Sequence, residues 1–464
     1  MTQQLTCHTQ KVLADQITPI GIYLNIREMF PASILLESSE IEDKMNARSI
    51  LCANPIGGIH LSPEKLTWYF AHEIHTKPTQ EIGRIQDELK AFFASFQVDK
   101  PADTINGFFG YQTFEAVRYF ETAKANLCEQ ASPDLPILDY RLYQYVICIN
   151  HFNNEITFIE NTLPDAPNTL PTFVKAVLTR RSTTYPFKLT SEESCTSTDS
   201  EFLANVIQAQ AHCKRGDVFQ MVLSRRFKRA YQGDEFNVYR ALRHINPSPY
   251  MFYFDYGSFK IFGSSPEAQI RIVGKEASIN PIAGTYKRTG DKQKDQALAE
   301  ALLQDQKEIA EHAMLVDLAR NDMNRHGDKV HVSAYKVIQQ YSHVIHIVST
   351  VKGELRTKNE NIEVLADTFP AGTLSGAPKV RAIQILAELE KHPRGFYGGS
   401  IGFVDFNGDI HQAIIIRSFM AKEQTLHYQA GAGIVLKSNP ESELQEVHHK
   451  LGALRRALAI SEQI

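Results

Sequence analysis

Apolar and polar residues alternate over residues 65–70 and 145–149, the period-two pattern of strands with one buried face. Between them, Ile82, Ile85, Leu89, Phe92 and Phe93 recur at helical intervals, which predicts an amphipathic helix over residues 81–96. A Ser/Thr-rich stretch at 180–200 has no sustained apolar period and marks the expected boundary, dividing the chain into units 1–185 and 195–464. Beyond it, β-rich runs recur at 218–223, 251–254, 344–348, 413–416 and 431–436. Long helices are predicted among and after them. One covers about 295–320, where Leu298, Leu302, Ile309, Ala313 and Met314 recur at near-helical spacing. The other opens with Ser438 or Asn439 as N-cap and Pro440 in its first turn, and continues to about Leu458. Strands and helices do not alternate regularly, which argues against a doubly wound parallel sheet. The expected fold is α+β: a large unit rich in antiparallel sheet, with a smaller N-terminal α+β unit packed on it.

Composition narrows the function classes. Hydrophobic residues make up 43% of the 464 and charged residues 22%, with a formal net charge of −4, so nothing suggests a nucleic-acid surface. The basic run Arg225-Arg226-Phe227-Lys228-Arg229 is surrounded by acidic segments and reads as solvated surface. No apolar run approaches the ~18 residues of a membrane span. The N-terminus has neither the basic start nor the apolar core of a secretory signal. The six cysteines are scattered without a CxxC pair and read as reduced thiols. The cytoplasm is the expected compartment.

Nucleotide motifs fail on inspection. The run Gly431-Ala-Gly-Ile-Val-Leu436 has Leu where a dinucleotide fingerprint needs its third Gly, and Gly372-Thr-Leu-Ser-Gly376-Ala-Pro-Lys379 misplaces both the spacing and the Lys of a phosphate loop. Acidic pairs are more informative. Glu308 and Glu311 lie one helical turn apart, as do Glu443 and Glu446. Alone, each pair reads as a solvated face, and Glu446 with Lys450 as a surface ion pair. Ala310, Ala313, Met314 and Val316 place the first pair beside an apolar seam, and carboxylates from separate helices could hold a hard cation such as Mg²⁺. There is no HExxH or Cys/His spacing for zinc. Glycine-rich turns at 281–285, 369–379 and 397–400 would bring backbone N–H groups close to an anion, and Arg417 follows an apolar strand from which it could clamp a carboxylate.

These segments, in their order, resemble the chorismate-using synthases and in detail the large subunits of anthranilate synthase. The resemblance is carried by Ser265-Pro-Glu267, Pro281-Ile-Ala-Gly-Thr285, residues 311–322, His346-Ile-Val-Ser349, residues 369–379, Tyr397-Gly-Gly399 and Gln429-Ala-Gly-Ala-Gly-Ile434, with Ile34-Leu-Leu-Glu-Ser38 in the N-terminal unit. It implies Mg²⁺ held by Glu311 and Glu446, with Glu308 and Glu443 as assisting neighbours. It implies a chorismate site formed by Gln220, Gly284, Thr285, Tyr397, Arg417, Gly431, Ala432, Gly433 and Lys450. Glu267 would be the general acid that expels the C4 hydroxyl, His346 would serve the elimination step, and Thr373 would position the substrate.

Two positions discriminate among reactions of the family. Isochorismate-forming relatives carry a Lys base where this chain has Gln220, and aminodeoxychorismate-forming relatives carry a nucleophilic Lys where it has Ala283. The expected reaction is therefore anthranilate formation from chorismate and ammonia. Ser38, Pro249, Tyr250 and Met251 match the family's L-tryptophan inhibition site. Ile345 stands where the family often has Met, a tolerated apolar swap. No Gly-x-Cys-x-Gly nucleophile is present, so the resemblance implies a separate glutamine amidotransferase subunit, in a heterodimer or heterotetramer. The alternatives are aminodeoxychorismate synthesis, or a catalytically silent tryptophan sensor that binds an amidotransferase.

Overall fold

A computed structural model of the chain describes residues 3–38, 47–98, 104–121, 135–340, 344–357 and 360–464. The architecture is the expected mixture of helix and largely antiparallel sheet, and its long strands run out from a shared N-terminal ladder as two arms. The ladder pairs Arg48–Leu61 with Leu138–Asn150. From it the first arm proceeds through Ile34–Ser38, Tyr250–Asp255, Phe259–Ser265, Ser418–Lys422, Thr425–Val435 and Gln220–Gly233. The second proceeds through Gly107–Gln112, Ser400–Asp405, Ile410–Ile414, Ala268–Val273, Glu276–Ile279, Val344–Leu355 and Ile282–Lys287. Strands from both sides of the 180–200 stretch thus share hydrogen bonds, as where Ser38 stands opposite Tyr250.

Apolar side chains between the arms, including Phe109, Tyr111, Phe252, Ile261, Phe403 and Ile415, form one buried cluster. A second covers the outer face of the first arm. There the helix Pro440–Ser461 contributes Leu444, Val447, Leu451, Leu454 and Leu458, spaced three or four residues apart so that one stripe faces the sheet. Asn439 caps this helix by accepting from the Ser442 N–H at 3.0 Å, with Pro440 in the first turn. Ser438 instead accepts from the Val435 N–H at 3.0 Å.

Several sequence expectations change in detail. Only Ile85–Ala94 of residues 81–96 is α-helical, and Phe96 begins a short strand. The helix expected over 295–320 is two helices, Lys292–Leu302 and Gln306–Asn324. Asp305 ends the continuity because its carboxylate accepts the Glu308 N–H at 3.2 Å, starting a new helix. Ala310 is exposed; the apolar seam of the second helix is Leu315, Val316, Ala319 and Met323. The strand expected at 413–416 is Ile410–Ile414, so Arg417 lies in a link between strands. Among the described residues no helix is long and apolar enough to cross a membrane.

Candidate active site

The chain crosses from one sheet arm to the other at Ser265–Ala268 and returns between Ile414 and Ser418. These links lie side by side, because the Ile414 N–H donates to the Glu267 carbonyl at 3.0 Å and the Ser264 N–H to the Arg417 carbonyl at 3.2 Å. The first link carries Glu267 and the second Arg417, which adopts a left-handed φ of 49°. A non-glycine residue there is strained by order 1 kcal/mol, held by the strands on either side.

Glu267 is 8% exposed, and its Oε1 accepts from the Thr373 hydroxyl at 3.0 Å. Burial pushes its carboxyl up to about 8, against the lowering influence of the Thr373 hydroxyl, Arg417 and Lys450. It is therefore largely protonated at neutral pH. Arg417 feels the same loss of solvent, which lowers its pKa, while Glu267 acts in the opposite direction. An arginine nevertheless keeps its charge.

On the second arm, His346 Nδ1 is 2.9 Å from the Gly284 carbonyl oxygen, which fixes the proton on Nδ1. Burial is the main cause that takes this imidazole down to about 4, with Arg417 adding to the fall. It is neutral at physiological pH. Gly284 bulges the strand, with φ of +68° and a register shift between Ala283 and Thr285. A Cβ there would come within 2.8 Å of Leu302 and 3.2 Å of the Glu308 carboxylate, so only glycine lets the helix Gln306–Asn324 approach this strand.

The first arm supplies the opposite wall. Gln220 Nε2 donates to Glu311 Oε1 at 2.8 Å. A Cβ on Gly433 would lie 2.5 Å from that amide nitrogen and 3.7 Å from Glu311 Oε1. Gly431 shares this face of the strand about 7 Å away. Its own notional Cβ would lie 3.1 Å from the Tyr397 hydroxyl. Lys450 donates to the Gly431 carbonyl at 2.8 Å and pairs with Glu446 at 2.7 Å. Burial raises the Tyr397 phenol well above its ordinary range, so it remains a hydroxyl. Ala432 points the other way, into the core, so only its backbone can face the site.

These contacts link Gln220, Glu267, Gly284, Glu308, Glu311, His346, Thr373, Tyr397, Arg417, Gly431, Gly433, Glu446 and Lys450 into one continuous neighbourhood. The backbone of Thr285 pairs with His346. Glu443 is buried on the same helix as Glu446. Ser38, Tyr250 and Met251 lie apart, lining a cavity of about 610 Å³ where the first arm leaves the N-terminal ladder. Pro249 immediately precedes that strand. Sequence reasoning missed Arg394, which is 3% exposed. It donates to the Leu374 and Val222 carbonyls and pairs with Glu390, tying the Thr373 turn to the sheet. A lone Arg in a loop gives no periodic signal. Lys379, singled out with the glycine turn, is taken up by an ion pair with Asp322 at 2.6 Å.

The donors available to a metal are carboxylate oxygens, which suit Mg²⁺ and exclude a thiolate site. Among the described residues no three acidic, His or Cys groups converge as a ready cage.

A buried acid, a neutral imidazole, an arginine and carboxylates beside glycine-rich strands are groups with which an enzyme can act on a small anionic substrate. Residues 48–456 match the family described as chorismate binding enzyme, and the chain belongs to it as a chorismate-utilising enzyme. It is similar to anthranilate synthase component 1 of Aquifex aeolicus (strain VF5), with 37% identity covering 98% of this chain and 94% of the relative. The same enzyme of Acetivibrio thermocellus is 37% identical, over 98% of this chain and 96% of the relative. Among solved structures, anthranilate synthase component I from Streptococcus pneumoniae TIGR4 superposes with a TM-score of 0.78 at 29% identity, covering 96% of this chain and 99% of that one. The menaquinone-specific isochorismate synthase from Escherichia coli shares the fold, with a TM-score of 0.75 at 18% identity over 98% and 95% of the two chains.

Proposed function

We propose that the chain is the synthase component of an anthranilate synthase, converting chorismate and ammonia to anthranilate and pyruvate in tryptophan biosynthesis. The observation that carries this choice within the family is the amide of Gln220, held 2.8 Å from Glu311. A carboxamide cannot deprotonate water, so isochorismate formation lacks its base. Ala283 likewise offers no nucleophile to capture the ring.

The chemistry then follows from groups in their resting states. Hydroxide is a poor leaving group, and Glu267, protonated near neutrality, donates the proton that lets the C4 hydroxyl depart as water while ammonia adds at C2. Thr373 holds that carboxyl in place. His346 has its proton on Nδ1, leaving Nε2 as the base that removes the ring proton as pyruvate is lost. Arg417 holds a substrate carboxylate, and Tyr397 with the 431–433 backbone supplies hydrogen-bonding groups along the substrate. Glu311 and Glu446, assisted by Glu308 and Glu443, would hold Mg²⁺. When bound, that ion supplies the positive charge that lets a dianionic substrate approach a wall of carboxylates.

We assign catalysis to residues 195–464 and regulation to residues 1–185, with L-tryptophan occupying the cavity lined by Ser38, Tyr250 and Met251. The lining mixes apolar side chains such as Leu36, Ile50, Met251 and Phe252 with charged ones such as Glu37, Arg48, Arg271 and Asp405, which supports an amino acid with an apolar side chain as the occupant. The relatives' designation as component 1 supports an amidotransferase partner that supplies ammonia from glutamine. Incubation of the purified chain with chorismate, Mg²⁺ and excess ammonium tests the reading. Anthranilate, identified by its fluorescence and mass, is the expected product. Aminodeoxychorismate, isochorismate, or tryptophan binding without turnover would each overturn it.

A further inference from the structure

Arg394 sits where three segments of the active site meet. Its Nη1 donates to the Leu374 carbonyl at 2.6 Å and its Nη2 to the Val222 carbonyl at 2.5 Å. Nε and Nη2 also grip Glu390, the residue after the helix Lys379–Leu389, at 2.7 and 2.8 Å. Leu374 is the neighbour of Thr373 in the turn Gly372–Leu374, and Val222 lies two residues beyond Gln220 on its strand. The same guanidinium lies over the ring of Phe114 at 4.5 Å and is 5.9 Å from that of Tyr397. Glu390 completes the joint, because its Oε1 accepts from both the Ser224 N–H and the Ser224 hydroxyl at 2.8 Å. The backbone beside Arg394 is anchored as well. The Gly395 N–H donates to the Glu115 carboxylate at 3.1 Å, and Arg226 donates to the Arg394 carbonyl at 2.9 Å.

Both charges are withdrawn from water, Arg394 being 3% exposed and the Glu390 side chain 11%. A buried ion pair is a poor way to add stability, since apolar side chains of similar volume commonly do as well. What a guanidinium supplies that they cannot is a rigid planar fork, which fixes several acceptors relative to one another. The acceptors here belong to the turn that carries Thr373 and the strand that carries Gln220. Thr373 in turn donates to Glu267 at 3.0 Å, and that bond opposes the effect of burial on the carboxyl. We propose that Arg394 is a positioning residue for the acid step, holding the Thr373 hydroxyl on the Glu267 carboxyl through its grip on the Leu374 carbonyl. The proposal rests on the anthranilate synthase reading and adds to it a residue that acts through Thr373.

Two variants of the full chain test it, with saturating ammonium as the nitrogen donor. Arg394→Lys keeps a charge beside Glu390 but loses the fork. Arg394→Met combined with Glu390→Gln removes both charges together and leaves an amide oxygen for Ser224. This neutral pair should melt within about 5 °C of the parent. The kcat for anthranilate should nevertheless fall on the order of 10²-fold in both variants. The alkaline limb of kcat/KM should move up by about one pH unit in each, as in Thr373→Val, because the carboxyl loses the hydroxyl that lowers its pKa. Added to Thr373→Val, either change should shift the limb no further. A limb that stays at the parent's pH despite lost activity, a further shift in the Thr373→Val background, or a kcat within about twofold of the parent would overturn the positioning role. So would a neutral pair that melts more than about 5 °C below the parent, which would make the joint a stability element. Absence of anthranilate from the unmodified chain with ammonium would instead overturn the reaction assignment.

Discussion

Glu267→Gln separates the acid role of this residue from its packing. The substitution keeps the shape and the Thr373 hydrogen bond but removes the proton, and general-acid assistance is worth roughly 10²–10⁴-fold. The turnover of the variant should fall by that factor. Burial also sets a stability signature. A carboxyl displaced from 4.5 to about 8 makes the folded state hold a proton that the unfolded chain releases throughout that window. The contribution of Glu267 to stability must therefore fall as pH rises from about 4.5 to about 8, and level off above it, by roughly 1.4 kcal/mol per pH unit. The full penalty is on the order of 5 kcal/mol. In a chain of this length that is about 5 °C in Tm. Glu267→Gln cannot pick up this penalty, so its Tm should exceed the parent's by a few degrees at pH 9 and the difference should vanish near pH 5. The free-enzyme profile of kcat/KM should lose activity above about pH 8. Thr373→Val, which removes a hydrogen bond that lowers the carboxyl's pKa, should move this alkaline limb up by about one pH unit. Differential scanning fluorimetry across pH and steady-state anthranilate fluorescence supply both readings. Parallel Tm curves for parent and Glu267→Gln, or an alkaline limb that moves down in Thr373→Val, would refute a buried neutral acid.

Other outcomes follow from the same geometry. His346 is driven down to about 4, so its neutral, base-competent form should persist to about pH 5 and the acid limb of kcat/KM should fall near 4, not near the ordinary 6.5. The same depressed value means that the contribution of His346 to stability rises as pH rises from about 4 to 6.5, opposite in sign to that of Glu267, and the difference between melting curves of parent and His346→Gln across pH isolates it. Glu311→Gln should cost at least about 100-fold in Mg²⁺-dependent turnover and abolish the Tm rise produced by Mg²⁺ with chorismate. A retained Tm response would remove Glu311 from the metal site. Ser38→Leu should fill part of the tryptophan cavity and raise the tryptophan concentration for half-inhibition at least about tenfold, with the uninhibited rate little changed. An unaltered inhibition curve would place tryptophan elsewhere.

Much of this protein was legible before any fold was known. Its amphipathic helices, its alternating strands and the capped terminal helix follow from local periodicity and turn chemistry, which act over a few residues. The likeness to chorismate-using enzymes was legible too, through strings such as Ser265-Pro-Glu267 and the 429–434 run. Local pattern could not show that Asp305 restarts a helix, because a capping carboxylate and a solvated one look alike in sequence. Nor could it place Arg417 in a left-handed link, or join Glu267 to Thr373 more than a hundred residues away. Those relations exist only where two sheet arms cross and exclude water. Burial there turns an ordinary glutamate into an acid near pH 8 and an ordinary histidine into a neutral base. The chain alone determined which side chains are present and the local elements that carry them; the tertiary structure decided their protonation and their company, because desolvation and close approach are properties of the packed interior.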